Sequence, residues 1–318
     1  MKITKSKILV LLLILVMTLM TACGGNSQPS GDEGSSGDAA QVNMKDMLTS
    51  LFTNQGDLGL AGKYTSTSEI EGAAVDPELV GTWITADQDT VYVYNEDGTA
   101  TAEIKSYGMS NDTTFTCMEL NGFKLVCEDM TITNYNDDGE EMDPEPIVGY
   151  SAYKIENDVL YMVSVDEYSS EYNQTVVALT IFYRADESGD NSAAVKANPL
   201  DLSALYGEWS DEDTGNTFAF DENGLTINGG EPMEISFNDK NELVVETEEG
   251  NTAYSFNLVV NADLEDAKIT DKEWSLGVFY VGDDENDRPN LADYMTDWNK
   301  EYDYDTYNFS LNLYQPMA

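Results

Sequence analysis

From Gly62 onward, apolar and polar residues mostly alternate with period two, the rhythm of half-buried β-strands. In the first half this predicts strands at Lys63–Ser68, Gly81–Thr85, Thr90–Tyr94, Thr99–Lys105, Thr114–Leu120, Phe123–Asp129, Gly149–Glu156, Val159–Val165 and Thr175–Arg184. In the second half it predicts Tyr206–Asp211, Thr217–Phe220, Leu225–Asn228, Met233–Phe237, Glu242–Thr247, Thr252–Val260, Trp274–Val281 and Tyr307–Tyr314. Two stretches follow the helical period instead. Val42 to Asn54 puts Met44, Met47, Leu48, Leu51 and Phe52 on one face behind an Asn43 cap, which predicts a lid on the first half. Asn290 to Lys300 groups Leu291, Tyr294, Met295 and Trp298 behind an Asn290 cap, with Asp293 at the third helical position.

One pattern occurs twice. Leu79-Val-Gly-Thr-Trp83 and Leu205-Tyr-Gly-Glu-Trp209 each lead into an aromatic alternation, Tyr92-Val93-Tyr94 or Phe218-Ala219-Phe220. Each alternation ends in a polar turn, and both Gly81 to Gly207 and Gly98 to Gly224 span 126 residues. Two related β-domains in tandem follow, residues 43–185 and 199–318, joined by a polar, small-residue linker at 186–198. Many short strands with hairpin turns and few helices predict an all-β chain of antiparallel barrels or sandwiches with short flanking helices.

The N-terminus changes the picture of where the chain works. Lys2, Lys5 and Lys7 precede an apolar run from Ile8 to Met20, too short for a spanning helix at about 20 residues. The run ends Leu19-Met-Thr-Ala-Cys23-Gly-Gly, which resembles the lipobox of bacterial lipoproteins. That resemblance implies a signal peptide at 1–22, acylation of Cys23, and an anchor at the extracytoplasmic face of the membrane. Residues 23–42, rich in Gly, Ser, Asp and Asn, read as a tether. The full chain carries a formal net charge of −45, and loss of three signal-peptide lysines leaves −48 on the mature form. Such a field opposes nucleic acid and anionic lipid, and keeps a tethered protein soluble.

There is no histidine, which excludes Ser-His-Asp and Cys-His catalysis and His metal sites. Leu120-Asn-Gly-Phe123 signals a two-residue hairpin, pairing Glu119 with Lys124 and Met118 with Leu125. Cys117 and Cys127 then lie on opposite faces and stay free thiols, Cys127 as a small buried hydrophobe. Asp213-Thr-Gly215 matches the aspartic-protease triplet but has no partner copy, and reads as a turn. Asn134, Asn136, Asp138 and Glu145 follow calcium-loop spacing, and are the residues a calcium ion would take from what otherwise reads as a solvated acidic turn. Trp298, Tyr302 and Tyr304, interleaved with acids, are candidate ligand-stacking rings or core.

Gly81-x-Trp83 on a first strand, followed by many antiparallel strands ending at Arg184, resembles the lipocalin-like group of calycin barrels. The resemblance implies that Trp83 plugs the closed end of a barrel with Arg184 over its ring. It implies the same for Gly207 and Trp209, although the second half ends Leu313-Tyr-Gln315 with no arginine. The function expected is a membrane-anchored binding module for a small ligand or an envelope partner, without cofactor and without enzymatic activity. An interaction protein with filled barrels, and a carboxylate-based hydrolase, are the alternatives.

Overall fold

The computed structural model describes residues 43–52, 63–120, 122–132, 144–168, 174–212, 214–248, 250–263, 268–281, 290–291, 293–297 and 309–316. Among these residues the fold is all-β, with two short helices, α1 (Met44–Phe52) and α2 (Ser192–Ala197). The first eight strands are β1 (Gly81–Ile84), β2 (Thr90–Tyr94), β3 (Thr99–Ile104), β4 (Met109–Leu120), β5 (Phe123–Ile132), β6 (Glu145–Glu156), β7 (Val159–Tyr168) and β8 (Gln174–Arg184). Each pairs antiparallel with the next, and β8 returns to β1 through Trp83–Arg184 and Ile84–Tyr183, closing an eight-stranded barrel.

Local turn chemistry sets the registers. Asn157 and Asp158 both adopt positive φ, 52° and 63°, the requirement of a two-residue turn matched to strand twist. Ile155 accordingly faces Leu160, and on the β4–β5 hairpin Glu119 faces Lys124, as the sequence predicts. Cys117 and Cys127 are free and buried in separate clusters. The interior face, however, is the Phe115, Cys117 and Val126 face. The Leu125 and Cys127 face lies outside the barrel, in a small core with Ile70, Val148 and Ala152.

Nine further strands follow: β9 (Gly207–Ser210), β10 (Thr217–Asp221), β11 (Gly224–Ile227), β12 (Glu234–Phe237), β13 (Leu243–Thr247), β14 (Gly250–Asp263), β15 (Lys268–Tyr280), β16 (Thr296–Asp297) and β17 (Phe309–Pro316). Adjacent strands pair from β9 to β11 and from β12 to β15, with a Leu225–Met233 bridge between the two runs. β17 lies beside β15 and returns to β9 through Tyr314–Ser210. The two sets of strands are continuous, because Thr175–Ala178 of β8 pairs with Val259–Ala262 of β14.

Four expectations change. Lys63–Ser68 is not a strand. Thr67–Glu69 forms a 3-10 turn capped by Ser66, and Asp129 accepts from the Thr67 backbone N–H at 2.6 Å, which draws the segment out of any ladder. The described part of Asn290–Lys300 is not a helix: Leu291–Tyr294 makes a turn, and Thr296–Asp297 pairs with β17. The Asn290 side chain, the expected cap, is held by Tyr254 Oη at 2.7 Å and Val245 O at 3.2 Å. The stretch 186–198 contains α2 and is anchored, with Asn191 Nδ2 donating to Ile84 O and Thr85 O, each at 3.0 Å.

The fourth concerns α1. Asn43 Oδ1 accepts from Asp46 N at 3.1 Å, so the cap forms as expected. The helix lies against β6–β8 on the outside of the barrel, but it is not a lid on the first half alone. Met44, Leu48 and Leu51 share one core with Val159, Tyr161 and Tyr183 of the barrel and with Trp209, Phe218 and Leu276 of the later strands. Asn241 Nδ2 also donates to Tyr183 Oη across this seam at 2.6 Å.

This shared core predicts joint unfolding. Leu48→Ala removes a fully buried side chain, and its cost is about 2–5 kcal/mol. Calorimetry of residues 43–318 is expected to give one transition, with equal calorimetric and van't Hoff enthalpies, that moves as a whole in the variant. Two resolved transitions, only one of them shifted, would contradict it.

Candidate functional site

The two Leu-x-Gly-x-Trp segments build the same structure. Trp83 and Trp209 are fully buried. Each indole N–H donates to the carbonyl of the leucine four residues earlier, Leu79 O or Leu205 O, at 2.7 Å in both cases. The Arg184 guanidinium stands 4.1 Å from the Trp83 ring centre, and donates to Val80 O at 3.0 Å and Glu78 O at 2.7 Å. Asp158 completes its surroundings with an ion pair at 3.2 Å.

Gly81 has φ +136°, and a Cβ there would lie 2.7 Å from Arg184 Nη1. Gly207 repeats this with φ +123° and a Cβ 1.9 Å from Gln315 Nε2. Each glycine therefore serves twice, as a left-handed backbone position and as the space through which the capping side chain passes.

The second copy has no arginine, and two residues divide its work. Gln315 Nε2 donates to Tyr206 O at 3.1 Å, the counterpart of the Arg184–Val80 bond. The charge comes from far away in sequence. Lys45 of α1 places Nζ 4.7 Å from the Trp209 ring centre and 5.7 Å from that of Trp274, and donates to Gln315 Oε1. Burial pushes the Lys45 pKa down to about 8, so the ammonium persists at neutral pH. Sequence reading missed Lys45 because it stands 164 positions before Trp209, outside the repeated segments, and it registered Gln315 only as the place where the arginine is lacking.

The interior of the first barrel is dominated by rings. Tyr92 stacks on Tyr94 at 5.7 Å and meets Phe182 edge-on at 5.3 Å, while Tyr94 meets Phe115 edge-on at 4.8 Å. All four rings are at most 3% exposed. Into this surround points Glu128, two residues along β5 from the interior Val126, with Tyr94 Oη 3.5 Å from its carboxyl. Among the described residues it has no ion-pair partner. Burial raises its pKa to about 7, only partly opposed by the tyrosine hydroxyl. In the segment before β1, Asp76 accepts from Lys124 Nζ at 2.8 Å and Tyr153 Oη at 2.7 Å. Burial raises the Asp76 pKa, but these bonds outweigh it and the net direction is down.

Other candidates fall differently. Cys23, with the rest of residues 1–42, lies outside the described residues, as do Asn134, Asn136, Asp138, Trp298, Tyr302 and Tyr304. Glu145 is exposed and opens β6, paired with Ile132 on β5. Among the described residues no three acidic or thiol groups are placed to hold a metal ion. Asp213 lies outside them too, while Thr214 and Gly215 form the β9–β10 turn, donating to Asp211 at 2.7 and 2.8 Å. No described helix is long and apolar enough to cross a membrane. Comparison with protein-family models and with curated proteins finds no match to this chain.

Two outcomes follow from this geometry. Gly81→Ala and Gly207→Ala each force a strained φ and a clash, and each is expected to cost about 1–3 kcal/mol in urea unfolding. An effect below a few tenths of a kcal/mol would show that the close approach is not required. Glu128 releases its proton less readily folded than unfolded. Its contribution is therefore neutral below about pH 4.5, and destabilisation grows as pH rises from there to about 7. Glu128→Gln should flatten this slope and stabilise the protein at pH 8 by at most roughly 3 kcal/mol. Parallel stability–pH curves for the two proteins would contradict it.

Proposed function

We propose that this chain is a lipid-anchored extracytoplasmic lipoprotein whose two tandem lipocalin-like domains, residues 43–185 and 199–318, act as a rigid scaffold that binds another envelope component through an acidic surface. The observation that carries this reading is the filled interior of the first barrel, where mutually contacting rings occupy the space a lipocalin-like fold would give an apolar ligand. The repeated Trp closure supports the tandem reading of the later strands, and the lipobox-like segment ending at Cys23 supports the anchor. A net charge of −48 on the mature form favours a cationic partner surface, with rates and affinities that fall with salt.

A small-ligand function is the second reading, and Glu128 favours it: an inward carboxyl with no ion-pair partner among the described residues could orient a polar group of a bound molecule. The two readings separate in one experiment. The thermal midpoint of residues 43–318 is measured with fatty acids, other apolar compounds, sugars and calcium, since a ligand specific for the folded state raises it by mass action. The scaffold reading expects no shift beyond error, together with salt-sensitive retention on a cationic envelope fraction. A large shift with one apolar compound would replace it with the small-ligand reading. In cells, Cys23→Ala is expected to release the protein from the membrane, and continued retention would count against the anchor.

A further inference from the structure

The two Trp closures match in geometry but differ in how the charge is held. Arg184 belongs to β8, and the main-chain ladders to β1 and β7 keep it in place. Lys45 belongs to α1, a nine-residue helix that meets the body through side chains. A helix of this length is not stable in water alone, so its folding and its docking are one event. Around the ammonium stand two indole faces and one amide oxygen, at Trp209, Trp274 and Gln315. Indole faces attract a cation, and the amide oxygen accepts a hydrogen bond from one of its three N–H groups. Next to this pocket, the Met44, Leu48 and Leu51 stripe enters the seam core. The docking surface thus recognises a lysine on an amphipathic helix.

We propose that Trp209, Trp274 and Gln315 form a lysine-binding pocket in which α1 is an exchangeable occupant, so that α1 from a second copy of the chain fills it as its own does. The complementarity argues for this partner: the segment that fits the pocket is α1 itself, and every copy carries both halves of the contact. Exchange of an identical element is a low-cost route to association. The inference concerns only the contact between α1 and the body, and holds whether or not the scaffold reading or the lipid anchor does.

The test uses the full chain, folded and then cut at a protease site placed between residues 53 and 62. A labelled peptide of residues 43–52 is added as the probe, and its binding is followed by anisotropy and by tryptophan emission. The severed α1 is expected to stay on the body and to be displaced by the peptide. A Lys45→Met peptide, which keeps the apolar stem, should compete at least tenfold less well, and a Lys45→Arg peptide nearly as well as the native one. Equal competition by the Lys45→Met peptide, or failure of the severed segment to exchange, overturns the proposal. A body carrying Gln315→Arg supplies a built-in guanidinium like that of the first barrel. It should keep its cooperative unfolding yet bind the peptide at least tenfold more weakly, and undiminished binding to it overturns the proposal as well.

Discussion

A positive charge resting on a buried indole closes this structure, and the rest of the first barrel is arranged to keep it there. β1 is only four residues long and meets β8 at two residue pairs, so the main-chain ladder contributes little to closure at that point. The Trp83–Arg184 stack and the guanidinium's bonds to Glu78 O and Val80 O join the segment before β1 to the end of β8. Hydrogen bonds from a charged donor are worth about 1.5–3 kcal/mol each, more than a neutral pair, which makes this corner a strong junction for its size. The leucine before each glycine has a matching part. Its side chain is buried and its carbonyl satisfies an indole N–H that would otherwise be orphaned in the core.

The second copy keeps the indole, the glycine and the carbonyl acceptors, and recruits its charge from α1. That recruitment ties the chain's first described helix to its last strand, and brings the two sets of strands together. β7 and β8 show the consequence. Leu160 and Met162 fill the barrel, while Val159, Tyr161 and Val163 are buried on the outside against α1 and the later strands. The run Val159-Leu-Tyr-Met-Val163 is apolar at every position because both faces are covered. The β8–β14 ladder continues the sheet across the same seam.

Where the sequence reading succeeds, the deciding physics is local. Asn157-Asp158 must turn with positive φ, and Gly122, at φ +85°, does the same for the β4–β5 hairpin, so strand partners and registers follow within a few residues. Where it fails, a distant group competes for a local one. Asn290 has the chemistry of a helix cap, yet Tyr254 and Val245 hold its side chain, and the residues after it turn into β16 instead. Asp129, on β5, captures Thr67 and bends a stretch whose alternation looks like a strand. The seam-facing side of β7 reads as ordinary strand for the same reason: periodicity reports that a face is buried, not what buries it.

The sequence by itself determined the all-β class, the hairpins, the repeated Gly-x-Trp corner and the separation of Cys117 from Cys127, because each depends on residue spacing along a short stretch of chain. Arg184 stands over the Trp83 ring, and it was the resemblance to lipocalin-like barrels, not spacing along the chain, that pointed to that residue. Only the tertiary structure decided that Lys45, 164 positions before Trp209, caps the second indole, that Glu128 turns into an aromatic interior, and that the two sets of strands share one core. These are contacts between surfaces that no period or spacing relates, and they exist only once burial has brought the surfaces together.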